Sequence, residues 1–306
     1  MREIEFCLVD SKTNQPVDYS VFASSLTLND QESFIDDLYE KLKQQYIAVE
    51  LIHAESGPGQ LEVVLKYSND PLAMADNIVL CRETIRAVAK KYGLKAIFTP
   101  KYDMTSAGNG MHLHFSTRDV TTNKPNFCEG SSLTPKHGGC FVEGLLTHLP
   151  GIMGLTLPTV NSFRRIGPGC WTGSTVGWAV EDKECGVRVC SNLATKEWDH
   201  VEVKLVDHAC NIYMAIAGIL QAGLKGIEQS TPLRPPLGEA IESESSSKLF
   251  PVSASDALDA LENDDLLMSL LGPELSKGYL ALRRHEVERS NNMTFEDEVK
   301  DLLSRT

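Results

Sequence analysis

Glu3 and Glu5 stand two residues apart in the opening run EIEFCLV. In an extended strand that spacing puts both carboxylates, with Cys7, on one face, while Ile4, Phe6 and Leu8 take the other. Like charges side by side repel, so such a face needs a cation or solvent between the acids. The pattern recurs along the chain. VELIHAESGPGQLEVVL carries Glu50, Glu55 and Glu62 on two apolar runs, split at Ser56, Gly57, Pro58 and Gly59 by a chain reversal. MHLHFS sets His112 and His114 against Met111, Leu113 and Phe115. HVEVKLV sets Glu202 and Lys204 against Val201, Val203 and Leu205. A single strand of this kind reads as a half-exposed edge. Several of them, all selecting carboxylates and imidazoles, point to a pocket for more than one divalent cation. Carboxylate oxygens with an imidazole nitrogen suit Mg2+ or Mn2+, whereas thiolates would favour zinc.

These segments, with NSFRRIGPG and the continuation HVEVKLVDHACNIYMAIAGILQAG, stand in an order and at spacings that resemble the catalytic domain of glutamine synthetase over nearly the whole chain. EIEF is similar to that family's opening metal strand, HAESGPGQLEV to its second acidic segment, GNGMHLHFS to its histidine strand, and NSFRRIGPG to its substrate-arginine segment. The resemblance implies an α+β fold in which a curved, mainly antiparallel sheet forms a funnel flanked by helices. It implies two Mg2+ or Mn2+ ions, one held by Glu5, Glu55 and Glu62 and the other by Glu3, His112 and Glu202. It implies ATP as a substrate, with Glu50, His114, Ser116 and Lys183 lining the nucleotide site. Arg188 and Lys204 fall at positions near the transferring phosphoryl group, and Gly108, Arg165 and Trp171 at the substrate pocket. The implied reaction activates a glutamate-type γ-carboxylate as an acyl phosphate and couples it to ammonia or another amine.

The departures from the family pattern are chemical. Ala107-Gly108 stands where the family has Asn-Gly, removing a side-chain amide. Cys170-Trp171 stands where its flap has Tyr-Glu, and an indole neither takes a proton nor draws a small cation by charge. Lys183 and Lys204 replace arginines, keeping charge but losing the planar fork. Ammonia is therefore not the expected acceptor, and a bulkier amine is. Family members carry a small β-rich module ahead of the first metal strand, which here begins at residue 3. The chain is accordingly expected to correspond to the catalytic domain over 1–306 without that module. The flap residues also resemble fungal and plant fusions that place an amidohydrolase-like domain first. A catalytically impaired relative, keeping the metal cage for a structural, sensing or scaffold role, stays open as the alternative.

The elements that must position these groups follow from periodicity. Amphipathic helices are expected at about 31–45, 71–92, 139–149, 207–229, 255–271 and 273–303, with the acidic strands between them. A Pro- and Ser-rich loop is expected over 230–252, followed by a helical C-terminal part over 253–306 in which Ser253 or Ser255 caps the first helix. With 306 residues and 42% apolar content the chain can bury a large core. A net charge of −13 argues against nucleic acid as a partner. Eight cysteines without a CxxC pair read as reduced thiols, and the longest apolar helix is too short for a bilayer. The expected setting is cytoplasmic, with small-molecule carboxylate and amine substrates, no membrane partner, and a homo-oligomer in the full-length parent.

Overall fold

Alternating apolar and polar residues drive the strands, and each strand hides one face. In the computed structural model, which describes residues 2–238 and 249–305, β1 (Arg2–Asp10) turns Ile4, Phe6 and Leu8 into the main core, each fully buried. Strand β3 (Gln60–Leu65) runs antiparallel beside it with Glu5 opposite Glu62 and Ile4 opposite Val63. β2 (Val49–Ala54) pairs with β3, placing His53 opposite Glu62. β5 (Leu113–Phe115) sits between β1 and β8 (Trp198–Val203), with His114 opposite Glu202. β7 (Val187–Ser191) then pairs with β8, with Arg188 opposite Glu202.

The described strands form one open sheet in the order β2-β3-β1-β5-β8-β7-β6, where β6 is Trp178–Val180, and β4 (Leu94–Ile97) pairs with the far end of β1. Every pairing is antiparallel except β6 with β7. This matches the expected α+β arrangement, and the register puts the acids and imidazoles of five strands on one face.

The helices supply the apolar backing. α1 (Ser25–Asp30) and α2 (Glu32–Gln44) precede β2, and α3 (Pro71–Lys91) starts with Asp70 accepting from the N–H groups of Leu72 and Ala73. A short π-turn (Pro135–Gly139) leads into α4 (Cys140–Thr156), which packs along α6 (Ile212–Gln229). Between them the backbones nearly touch. A Cβ on Gly226 would lie 2.8 Å from the Cα of Gly144 and would overlap the carbonyl oxygen of Cys140. The short α5 (Val160–Phe163) follows α4. The C-terminal part holds α7 (Ala254–Glu262), α8 (Asp265–Ser290) and α9 (Phe295–Arg305).

Several boundaries differ from the periodicity reading. The helix expected to end at 149 runs on through Pro150 to Thr156. The one expected from 207 begins at Ile212, because Asp207 and His208 are buried in irregular chain and Asn211 caps the start. The expected break at 272 is a kink inside α8, where Gly272 has φ 71 ahead of Pro273, and the true breaks fall after Glu262 and Ser290. Ser253 is the cap of α7, its hydroxyl accepting from the Asp256 N–H at 3.1 Å. Residues 239–248 of the expected loop lie outside the described residues. No helix among the described residues is long and apolar enough to cross a membrane, and the cysteines among them are all free thiols.

Candidate active site

Glu3, Glu5, Glu62, His112, His114 and Glu202 share the sheet face opposite the core because each alternates with a buried aliphatic or aromatic neighbour. His112 is the hub. Its Nδ1 lies 2.7 Å from Glu3 Oε2 and 3.1 Å from Glu202 Oε1, and its Nε2 is 3.7 Å from Glu5 Oε1. Glu3 reaches His114 through Oε1 at 3.2 Å, and Arg188 donates from Nε to Glu202 Oε2 at 2.6 Å. Glu5 accepts from the Gly110 N–H at 2.7 Å. Next door, His53 Nε2 is 3.0 Å from Glu62 Oε1, with the other ring nitrogen 3.0 Å from the Ala54 carbonyl oxygen. Glu55, just past β2, accepts from its neighbour Ser56.

Several acids on this face depart from the ordinary carboxylate range, in both directions. Burial, reinforced by Glu3 and Glu5, pushes the Glu62 carboxyl up to about 8 against the opposing hydrogen bond from His53. Burial and Glu5 also raise Glu55. Beside His112 and His114 the carboxylates go the other way. Burial opposes ionisation of Glu202, yet its contacts with His112 hold it at about 2, and Glu3 is held well below the usual range against burial by His112 and His114. His112 in turn is raised to about 10: burial works against its charge, but Glu5, Glu202 and Glu3 outweigh it. A positive charge at His112 thus stabilises the carboxylates of Glu3 and Glu202, as a divalent cation would, whereas the hydrogen bond from His53 does not outweigh burial at Glu62. Donors of this type, in this density, fit Mg2+ or Mn2+.

A cavity of about 400 Å3 opens beside the cluster, lined among others by Glu5, Glu55, Lys101, Gly108, His112, Arg165, Trp171 and Lys204. Gly108 is small for a reason: a Cβ there would come within 2.7 Å of the Arg165 Cβ and of the Pro100 carbonyl oxygen. Arg165 is buried, and its Nη2 donates to the carbonyl oxygens of Lys204 and Val206 at 3.0 and 2.5 Å, with Nε 3.7 Å from Asp207 Oδ2. A second cavity, about 740 Å3 and more open, lies between Cys7, Tyr102 and the start of α9. Its lining carries no histidine and only Asp103 and Glu296 as acids, apart from the sheet-face cluster.

The flap, 167–173, closes one side. Lys204 donates from Nζ to the carbonyl oxygens of Trp171 and Lys183 at 2.8 and 3.0 Å, and Glu184 accepts from the N–H groups of Gly169 and Trp171. These bonds hold Trp171 at φ 57, a left-handed conformation costly for a bulky side chain. The indole stands edge-on to Phe22, and Lys183 Nζ sits 4.6 Å from its ring centre.

Of the residues singled out in the sequence, Glu3, Glu5, Glu55, Glu62, His112, His114, Arg188 and Glu202 come together at the sheet face. Gly108, Arg165, Trp171 and Lys204 line the cavity. Glu50 and Ser116 are exposed and do not line it, Glu50 standing at a register shift in the edge strand β2. Lys183 is exposed on the flap side. The sequence reading passed over His53 and Gln60, although each stands two residues before an acid on the same segment, the same alternation that identified the others. Gln60 donates to the Gly108 carbonyl oxygen at 2.9 Å and to Asn109 Oδ1 at 3.0 Å. Lys101 and Glu184 sit in irregular chain, where no periodicity marks them.

Comparisons with known proteins agree with this geometry. Residues 2–302 match the family described as glutamine synthetase, catalytic domain. The chain is 30% identical over 300 residues to type-1 glutamine synthetase 1 of Dictyostelium discoideum, covering 94% of this chain and 58% of that protein. It is 35% identical over 260 residues to the gamma-glutamylpolyamine synthetase GlnA3 of Streptomyces coelicolor, covering 82% of this chain and 55% of that one. The chain therefore spans a little over half the length of these relatives. A crystal structure of a glutamine synthase homologue superposes with a TM-score of 0.84 at 28% identity, covering 98% of this chain and 68% of its own. The cross-strand cluster, the arginine-lined cavity and these matches lead to one conclusion: the chain belongs to the glutamine synthetase family, as a member of its catalytic-domain class.

Proposed function

We propose that the chain is the catalytic part of an ATP-dependent carbon–nitrogen ligase that joins a glutamate-type γ-carboxylate to an amine larger than ammonia. The observation that carries the reading is the convergence of Glu3, Glu5, His112 and Glu202, with Glu62 alongside, on one buried sheet face beside a cavity of substrate size. Glu5, Glu55 and Glu62 would hold one divalent ion, and Glu3, His112 and Glu202 the other. Such ions neutralise charge on the nucleotide phosphates as the phosphoryl group moves.

The remaining roles belong to the chain's own side chains. Arg188, tied to Glu202, presents a guanidinium at the phosphoryl side, while His114, Glu50, Ser116 and Lys183 are assigned to the nucleotide. Arg165, at the floor of the cavity, is assigned to the carboxylate of the amino acid. Lys204 fixes the flap from below. A flap pinned at Trp171 keeps water from the activated carboxylate, and its aromatic surface with Phe22 offers an amine a face rather than a carboxylate. A relative named as a gamma-glutamylpolyamine synthetase supports an extended amine as the acceptor class.

A second reading keeps the cage without the reaction. It is favoured by Arg165 Nη2 and Lys204 Nζ, each already engaged on backbone carbonyl oxygens. Phosphate release from ATP with Mg2+ or Mn2+, measured with glutamate across ammonia, monoamines and polyamines, separates the two. Release stimulated by glutamate plus a polyamine supports the ligase. Release that neither substrate stimulates leaves the cage reading.

A further inference from the structure

On the same sheet face, beyond the carboxylates, lies a cluster of different chemistry. Cys190 of β7 and His200 of β8 are direct cross-strand partners, and His114 of β5 stands against His200 with ring centres 4.9 Å apart. One ligand atom from each of these three residues lies within 4.8 Å of the other two. His114 and Cys190 are buried, and His200 is half-buried. Each of the two imidazoles has a carboxylate at its edge: Asp199 Oδ2 is 2.9 Å from Nδ1 of His200, and Glu3 Oε1 is 3.2 Å from Nε2 of His114. A carboxylate on the far nitrogen of an imidazole fixes ring and tautomer in metal sites.

We propose that His114, Cys190 and His200 form a site for a thiophilic divalent cation, Zn2+ in the first place, separate from the carboxylate cage. Two imidazole nitrogens and a sulfur are the wrong donors for Mg2+ and suit Zn2+. Zinc binds such atoms at about 2.0–2.3 Å in a tetrahedron, so the three donors must draw together on binding, and a fourth position is left for water or another ligand. On binding, the Cys190 thiol gives its proton to solvent and the sulfur ligates as thiolate. Glu202 lies two residues from His200 on the same strand and face, so hard and soft cations would sit side by side. An ion at this site takes His114 away from the nucleotide. That competition, but not the binding itself, rests on the ligase reading.

Cobalt(II) serves as a spectroscopic probe because it accepts the donor set of zinc. The test uses the whole chain with Cys170→Ser, which removes the exposed thiol, in excess Mg2+. Titration with Co2+ should produce a thiolate-to-cobalt charge-transfer band that stoichiometric Zn2+ bleaches. Cys190→Ser should abolish the band, and Asp199→Asn should weaken binding about 10- to 100-fold. Glu62→Ala, which touches only the carboxylate cage, should leave the band in place. The proposal is overturned if the parent chain gives no such band, if excess Mg2+ suppresses it, or if it survives Cys190→Ser. The spectrum of the parent chain decides even where a variant fails to fold. Loss of ligase activity plays no part in the reading, so failure of the zinc site and failure of the ligase assignment are told apart.

Discussion

Glu298 of the last helix grips Arg164 with both carboxylate oxygens, receiving Nε and Nη2 at 2.9 Å each, immediately before Arg165 in the chain. The same carboxylate accepts from Asn161 Nδ2 at 2.8 Å, and Asn161 Oδ1 accepts from the N–H of Lys101, whose side chain lines the cavity. The C-terminal helix thus reaches the substrate pocket through two short links.

Removing that grip should loosen the pocket as well as the fold. Breaking a buried ion pair costs about 3–5 kcal/mol, but the Arg164 side chain is 30% exposed, so about 2 kcal/mol is expected for Glu298→Ala. Thermal unfolding reads the loss. A melting temperature unchanged from the parent would mean that the Glu298 grip on Arg164 does not stabilise the fold.

Divalent metal should raise the melting temperature, since a ligand specific to the folded state at about 100 times its Kd adds about 2.7 kcal/mol. Glu62→Ala and Glu202→Ala should each abolish most of that gain. Calorimetric titration with Mn2+ checks the assignment directly, and an isotherm unaltered in both variants would remove the cage.

The indole of Trp171 is already faced by Lys183 at 4.6 Å. An incoming amine must share that surface, so the contribution is modest. A cation–π contact of about 0.5–2 kcal/mol corresponds to a change of about 2- to 30-fold. Trp171→Ala should therefore raise the KM for a polyamine by that factor and leave any ammonia-dependent rate alone. A polyamine KM unmoved by the substitution, or ammonia-driven turnover as fast as that with a polyamine, would contradict the amine assignment.

His208 is buried against Phe98, and burial first, then Arg82 and Arg165, depress its pKa well below the ordinary 6.5. The folded chain therefore binds this proton less readily than the unfolded one. The stability it confers is complete above about pH 6.5 and is lost as pH falls toward the folded value. Between pH 7 and pH 5 the parent should lose melting temperature relative to His208→Gln. Parallel curves would show that the ring is not the titrating group.

The sheet face was legible because a period of two is a strong signal: Glu3, Glu5, Glu62, His112 and Glu202 each alternate with residues that have nowhere to go but the core. His53 obeys the same rule, two residues before Glu55 on the same segment. The flap was legible as a set of unusual residues, but not the bonds from Lys204 and Glu184 that pin it, since these join segments with no common period. Glu50 shows the limit of alternation, because a register shift in β2 interrupts the count. The helix ends at Thr156 and Ile212 were set by tertiary contacts, with Asp207 and His208 drawn into the site instead of continuing a helix.

The glycine seam between α4 and α6 has a bearing on which sequences can ever carry this site. At Gly144 and Gly226 the obstacle to a side chain is the opposing main chain, not a neighbour that could be trimmed. No compensating substitution on the partner helix can make room, because the partner has nothing left to give up. An alanine at either position must push the helices apart, and with them the sheet they back. These two positions should therefore behave as dead ends in any mutational walk. Tolerated substitutions are therefore expected in the surface loops rather than along the seam.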